Sequence, residues 1–217
     1  MPCFDAVLFD MDGVIVDSMP LHREVWAAFA RLHGLNPSEA EVRAADGRRA
    51  AEVVALLFGG HLATEELDRL AAAREVFFGE QLATADVRPV LGAETFLQDL
   101  GRAGVPRVLA TSATPGNVRQ LLGRLGFSDL FEAVVTAQDV SLGKPHPEVY
   151  LTAAGRVGAD PQRCLVVEDA LAGVQSGKAA GARVLGLTTS LAAAELTTSG
   201  ADWVTTDFTA LPDAIRV

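Results

Sequence analysis

Ala6-Val7-Leu8-Phe9-Asp10-Met11-Asp12-Gly13-Val14 is the stretch that decides how this chain is read. Four apolar residues, enough for a short strand, run directly into two aspartates and a glycine. A fully buried parallel strand ends in this way where it opens onto a polar crevice. Further along, Val105 to Ala110, Ala133 to Thr136, Cys164 to Val167, Arg183 to Leu187 and Trp203 to Thr205 are similar short runs bounded by turn residues. They alternate with longer helical patterns, which predicts βαβ units and an open parallel sheet, an α/β fold with a Rossmann-like core.

About 95 residues separate the first run from the second, far more than one crossover helix uses, so a segment is inserted there. It reads as helical throughout. Leu21 to Leu32, Arg49 to Phe58 and Glu65 to Leu82 carry helical patterns, Ser38 and Glu41 are spaced as a capping box, and Thr64 stands where a cap belongs. Val87-Arg88-Pro89 closes the segment. The expected organisation is an α/β core from residues 1–17 and 89–217, with a helical cap of residues 18–88 hung on two adjacent linkers.

The 217 residues, 49% hydrophobic and 21% charged, can build a generous core, which excludes a disordered or fibrous chain. A net charge of −10 repels phosphate backbones and anionic lipid surfaces, so neither nucleic acid nor membrane is expected as a partner. Cys3 and Cys164 are the only cysteines and read as inert small hydrophobes, with no disulfide framework and no zinc spacing. The amino terminus has no basic region and no apolar run approaches the roughly 18 residues of a membrane span. A cytoplasmic setting is expected.

Groups that do chemistry in such a sheet collect beyond the carboxyl ends of the strands. Asp10 and Asp12 follow the first run and Glu168-Asp169 follow Cys164 to Val167, which brings four carboxylates to one edge. Each pair taken singly also reads as a turn or a helix cap. Together they would repel one another, and a hard cation such as Mg²⁺ relieves that by accepting carboxylate oxygens. Thr111-Ser112-Ala113-Thr114-Pro115 offers hydroxyls and a helix start, with Thr114 as N-cap, a setting suited to phosphate. Lys144, between Gly143 and Pro145, is one of only two lysines among 18 basic residues. A chain that otherwise uses arginine has a reason to place a compact ammonium there.

Asp10 to Ser18, Thr111-Ser112, Gly143-Lys144-Pro145 and Glu168-Asp169, in that order, resemble the four motifs of the haloacid dehalogenase superfamily. The helical insertion, Lys144-Pro145-His146-Pro147-Glu148-Val149-Tyr150 and Glu168 to Val174 are similar to its β-phosphoglucomutase and sugar-phosphatase branch. The resemblance implies that Asp10 is the nucleophile that becomes an aspartyl phosphate and that Asp12 is the general acid and base. It implies Mg²⁺ held by Asp10, the Asp12 carbonyl, Asp169 and Glu168, the last directly or through water. Thr111, Ser112 and Lys144 would bind the phosphoryl group, and Gly13 would permit close backbone approach.

The cap should then choose the substrate, with His22, Arg48 and Arg49 as candidates. Trp26 lies one turn beyond His22 and reads as packed core, and Arg74 reads as structural. The expected activity is a Mg²⁺-dependent phosphatase acting on a small phosphorylated sugar or polyol, as a monomer. A phosphomutase is the alternative, and a non-enzymatic phosphoacceptor the third reading. In the mutases an arginine stands three residues after the cap glycine, whereas Gly47-Arg48-Arg49-Ala50 has alanine there.

Overall fold

The computed structural model describes residues 4–59 and 61–215, so Cys3 lies outside the described residues. Six strands form one sheet: β1 (Ala6–Phe9), β2 (Arg107–Ala110), β3 (Ala133–Val135), β4 (Cys164–Glu168), β5 (Arg183–Leu187) and β6 (Trp203–Thr205). All neighbours are parallel, in the order β3-β2-β1-β4-β5-β6. The chain moves outward from β1 to β3 and then returns to the other side of β1, so the order reverses there and a crevice opens.

Every strand expected from the sequence is present; β1, β5 and β6 have the expected ends, β4 runs one residue further to Glu168, and β2 and β3 are shorter. The second begins at Arg107 because the Val105 N–H is taken by the Leu100 carbonyl at 2.9 Å and Pro106 has no N–H to give. The third stops at Val135, where the next amide, Thr136, donates to the Asp139 carboxylate instead.

Helices α1 (Met19–Leu32), α2 (Glu39–Arg43), α3 (Ala50–Phe58) and α4 (Thr64–Thr84) lie between β1 and β2 and precede α5 (Ala93–Arg102). The capping box of α2 forms as expected: the Ser38 N–H donates to Glu41 Oε2 at 2.7 Å and the Glu41 N–H to Ser38 Oγ. Three helix starts differ from expectation. Helix α1 begins at Met19, two residues before Leu21, Thr64 is the first residue of α4 and not its cap, and Arg49 precedes α3 in extended conformation. These four helices bury a cluster of their own around Trp26, Phe29, Val42, Val53, Val54 and Leu70. The chain segments that lead in and out run side by side, with the Asp17 N–H on the Arg88 carbonyl at 2.9 Å and the Val90 N–H on the Ile15 carbonyl at 3.0 Å.

The remaining helices are α6 (Pro115–Leu125), α7 (Glu148–Arg156), α8 (Leu171–Ala179) and α9 (Ala193–Thr198). Strand alternation sends Val7, Phe9, Leu165 and Val167 to one face, where they meet Phe96 and Leu97 of α5 and Leu121 of α6. Ala6, Leu8, Cys164 and Val166 face the other side and meet Tyr150 and Ala153 of α7 and Val174 of α8. Because both faces are covered, each strand reads as a continuous apolar run. Among the described residues no helix is long and apolar enough to cross a membrane.

Candidate active site

Phe9 is level with Leu109 on one side and Val167 on the other, so β1, β2 and β4 end together. Asp10, Thr111, Glu168 and Asp169 therefore emerge at one place. The loop after Asp10 passes so close to Asp169 that a Cβ on Gly13 would lie 1.9 Å from Asp169 Oδ2, and the φ of Gly13 is +76°. Only glycine fits both demands. Asp10, Glu168 and Asp169 are buried and can bring one oxygen each within 4.8 Å of the others.

Lys144 enters this cluster from the loop before α7. It is 1% exposed, with Nζ 2.9 Å from Asp10 Oδ1 and 2.6 Å from Glu168 Oε1. Burial would lower the ammonium pKa, but the two carboxylates outweigh it and hold it above the ordinary lysine value. One cation does not balance three anions. Burial pushes Asp10 up to about 7, with Glu168 and Asp12 adding to the rise against the pull of Lys144. Asp169 is raised well above the ordinary range by burial and then by Glu168 and Asp10, although Ser190 donates to its Oδ2. A buried oxygen-only cluster with excess negative charge fits a hard divalent cation.

Asp12 belongs to a different network. Its Oδ1 accepts from Ser18 Oγ and from His22 Nε2 at 3.1 Å. Arg74 Nη2 lies 2.9 Å from His22 Nδ1, and an arginine can only donate, so Nδ1 accepts and the ring proton is assigned to Nε2, toward Asp12. Both bonds fall on Oδ1, which leaves Oδ2 outside this network. Burial alone would raise the Asp12 carboxyl, but His22, Ser18 and Arg74 together hold it below its ordinary value. The network continues from Arg74 Nη1 to Glu75 Oε1 at 2.9 Å, and from Glu75 Oε2 to Asn117 Nδ2 at 2.6 Å. It thus runs from the end of β1 through α1 and α4 and back to α6.

The other candidates fall in several places. Thr111 is buried and Ser112 donates to the Gly47 carbonyl at 3.1 Å, tying the loop after β2 to the segment between α2 and α3. Thr114 caps α6 as expected, accepting from the Asn117 N–H. Asp10, Asp12, His22, Arg48, Thr111, Ser112 and Asp169 line one cavity of about 60 Å³. Arg49 does not. Its guanidinium donates to the carbonyls of Ala137 and Ser141, bracing the insert against the core, and Ala50 lines the cavity beside Arg48.

Arg74, which the sequence reading set aside as structural, is a wall of the cavity, with its guanidinium carbon 4.3 Å from the Trp26 ring centroid. Trp26 is packed core, as expected, and also the surface on which Arg74 rests. Glu75, Asn117 and Ser190 carry no local signal in the sequence, and Tyr150 stands there only as the last residue of the stretch that begins at Lys144, with no role given to it, although it is the only tyrosine in the chain.

A sheet of this order, with carboxylates gathered where β1 and β4 end beneath a helical insertion, is the framework of an α/β enzyme. The chain belongs to the haloacid dehalogenase-like hydrolases, whose family model matches residues 4–181, and within them to the β-phosphoglucomutase and sugar-phosphatase-like branch. It is 35% identical over 189 residues to validoxylamine A 7'-phosphate phosphatase of Streptomyces hygroscopicus subsp. limoneus, covering 86% of each chain. It is 37% identical over 180 residues to hexitol phosphatase A of Escherichia coli K12, covering 82% of this chain and 80% of that one. The crystal structure of β-phosphoglucomutase from Clostridium difficile superposes with a TM-score of 0.85 at 25% identity, covering 97% of this chain and 94% of that one.

Proposed function

We propose that this protein is a Mg²⁺-dependent phosphatase that hydrolyses small phosphorylated sugars or polyols through an aspartyl phosphate on Asp10. The observation that carries the reading is the contrast between two aspartates one residue apart. Asp10 sits in the carboxylate cluster against Lys144, while Asp12 is turned into the His22 network. Nucleophile and proton carrier need such different surroundings.

In this reading Asp10, Asp169 and the Asp12 carbonyl would hold Mg²⁺, with Glu168 directly or through water, and the metal would neutralise the charge of Asp10 and of the phosphoryl oxygens. Asp10 attacks phosphorus in line as the ester bond breaks, and Asp12 gives its proton to the departing oxygen. Asp12 then takes a proton from water, the water oxygen displaces Asp10, and inorganic phosphate leaves. Thr111, the Ser112 amide and Lys144 hold the phosphoryl oxygens through both steps. An Asp12 carboxyl held low is a poor acid on its own, but a phosphate dianion beside it pushes its pKa up.

A cavity of about 60 Å³ is less than half the roughly 150 Å³ that accommodates a benzene. Residues 18–88 therefore act as a cap that opens on the paired linkers to admit substrate, the core being 1–17 and 89–217. His22 and Arg48 then face what enters. Ala50 in the cavity, with Arg49 spent on the Ala137 and Ser141 carbonyls, favours hydrolysis over the phosphomutase alternative, which must grip a second phosphate. The acidic charge supports an enzyme that acts on a small metabolite and not on nucleic acid or an anionic membrane surface, and the reading has it cytoplasmic and monomeric.

The test is phosphate release from a panel of phosphorylated sugars and polyols with Mg²⁺, with Asp10→Asn as control. EDTA should stop release, Mg²⁺ should restore it, and the variant should lose at least about a thousand-fold. Activity within tenfold of the parent in Asp10→Asn rejects the covalent route. Glucose 6-phosphate formed from β-glucose 1-phosphate faster than inorganic phosphate, with a bisphosphate primer present, would promote the mutase.

A further inference from the structure

The inserted helices touch the core at several places, and these contacts are not equivalent. Asn117 donates to Glu75 at 2.6 Å and Ser112 to the Gly47 carbonyl at 3.1 Å, and all four residues line the cavity, so groups of a bound substrate can take the place of these contacts. Arg124 of α6 donates to the carbonyls of Leu82 and Ala85, where α4 runs into the returning linker, at the pivot itself. Arg23 of α1 reaches the Ser190 carbonyl after β5 with a single bond of 3.3 Å. Its stronger pair, with Asp46 at 2.6 Å, stays inside the insert.

Arg49 differs from all of these. Its Nη1 donates to the Ser141 carbonyl at 2.9 Å and its Nη2 to the Ala137 carbonyl at 3.2 Å, and none of the three residues lines the cavity. A planar guanidinium spans two acceptors in this way, whereas a lysine presents a single point. The loop that receives it, between β3 and α7, is fixed to the core from behind. The Ala137 N–H is on the Ala113 carbonyl at 3.1 Å, and the N–H groups of Ser141 and Leu142 are both held by the Glu148 carboxylate at 2.9 Å. Contact is close, since a Cβ on Gly143 would lie 2.5 Å from Arg49 Cδ. Strand β3 is the edge of the sheet, two strands from β1, so this contact is set off from the paired linkers. Widening the cavity between Gly47 and Ser112 parts Arg49 from its loop.

We propose that Arg49 is the closed-state latch of the insert: a positioning residue at the rim of the cavity, whose two bonds to the loop after β3 hold the insert on the core and break each time the cavity opens. No substrate group replaces them, so they favour the closed form whether or not the cavity is filled. The role of opening in turnover rests on the phosphatase reading, whereas the latch itself does not. Without it the closed form is a smaller share of the protein, and ligand binding has to supply the difference, which raises KM. At saturation the bound substrate restores closure, and kcat is kept.

Arg49→Ala, with Arg49→Lys beside it, tests this on the full chain. Small-angle X-ray scattering should give Arg49→Ala a larger radius of gyration than the parent, free or with Mg²⁺ and orthovanadate. KM should rise about ten-fold with kcat within about two-fold, and Arg49→Lys, which can keep one of the two bonds, should fall between. Equal radii for parent and Arg49→Ala under both conditions overturn the latch. A rise in KM with no change of radius makes Arg49 a substrate contact instead, as expected from the sequence. If Arg49→Ala fails to fold, Arg49→Lys is read in its place against the same two outcomes. If the parent hydrolyses no phosphorylated substrate, the phosphatase reading fails and the scattering comparison alone decides the latch.

Discussion

Asp10 and Asp12 leave the same strand one residue apart and meet opposite surroundings. Around Asp10, every partner comes from the strand ends or from the Lys144 loop, and all are buried. Around Asp12, the partners are Ser18, His22 and, behind them, Arg74, supplied by α1, α4 and the turn before them. The first setting is fixed when the sheet forms. The second is completed only when the inserted helices lie against the core, because Arg74 is anchored through Glu75 to Asn117 of α6. Charge compensation around Asp10 thus belongs to the scaffold, whereas the surroundings of Asp12 depend on the position of the insert. Damage to the two settings should therefore look different.

The sharpest way to break the comparison is Lys144→Ala. Removing the only cation paired with Asp10 and Glu168 among the described residues leaves buried carboxylates uncompensated, so activity should vanish and stability should fall by about 3–5 kcal/mol in metal-free buffer. Chemical denaturation measures the second effect, and a variant as stable as the parent would show that the cluster is not held by its lysine. His22→Ala tests the other side. It should lower kcat about ten- to a hundred-fold, since Asp12 loses one of two donors, while the loss of the Arg74 acceptor costs about 1–2 kcal/mol of stability, clearly less than in Lys144→Ala. A stability loss as large as that of Lys144→Ala would erase the distinction between the two settings.

The smallest effect concerns pH. Asp10 rises from an ordinary 3.8 to about 7 through burial, so between those values the folded protein binds more protons than the unfolded chain, and stability falls as pH rises. The metal-free protein should melt a few degrees lower at about pH 7.5 than at about pH 5, at roughly 2–4 °C per kcal/mol. Saturating Mg²⁺ should flatten the slope by pairing with the ionised carboxylate. A slope unchanged by Mg²⁺ would detach the metal from Asp10.

The scaffold side was legible in the sequence because its information is local. A strand-length apolar run followed by Asp10 and Asp12, a second followed by Glu168 and Asp169, and a rare lysine between glycine and proline place their own side chains at strand ends, and parallel register does the rest. The Asp12 side was legible only in part. His22 could be proposed from its nearness to the first motif, but Arg74, Glu75 and Asn117 find partners 42 or 52 residues away or on the adjacent residue of a helix, and no local spacing encodes which face of α4 meets the core. Arg48 and Arg49 illustrate the limit most directly. They are neighbours with identical side chains, yet Arg48 lines the cavity and Arg49 is drawn off by two loop carbonyls that only the folded chain brings near.

The pairing of the two linkers has a consequence for how such a protein can diversify. The chain departs at Asp17 and returns at Arg88 with the two backbones hydrogen-bonded at 2.9 Å. From the standpoint of the sheet, whatever lies between is a closed detour, and loop-closure cost grows only slowly with its length. A different helical segment grafted between those points would exchange His22, Arg48, Arg74 and Glu75 as one module while β1 and β2 keep their register. The lining of the cavity can then be rewritten wholesale without renegotiating the folding of the strands that carry Asp10.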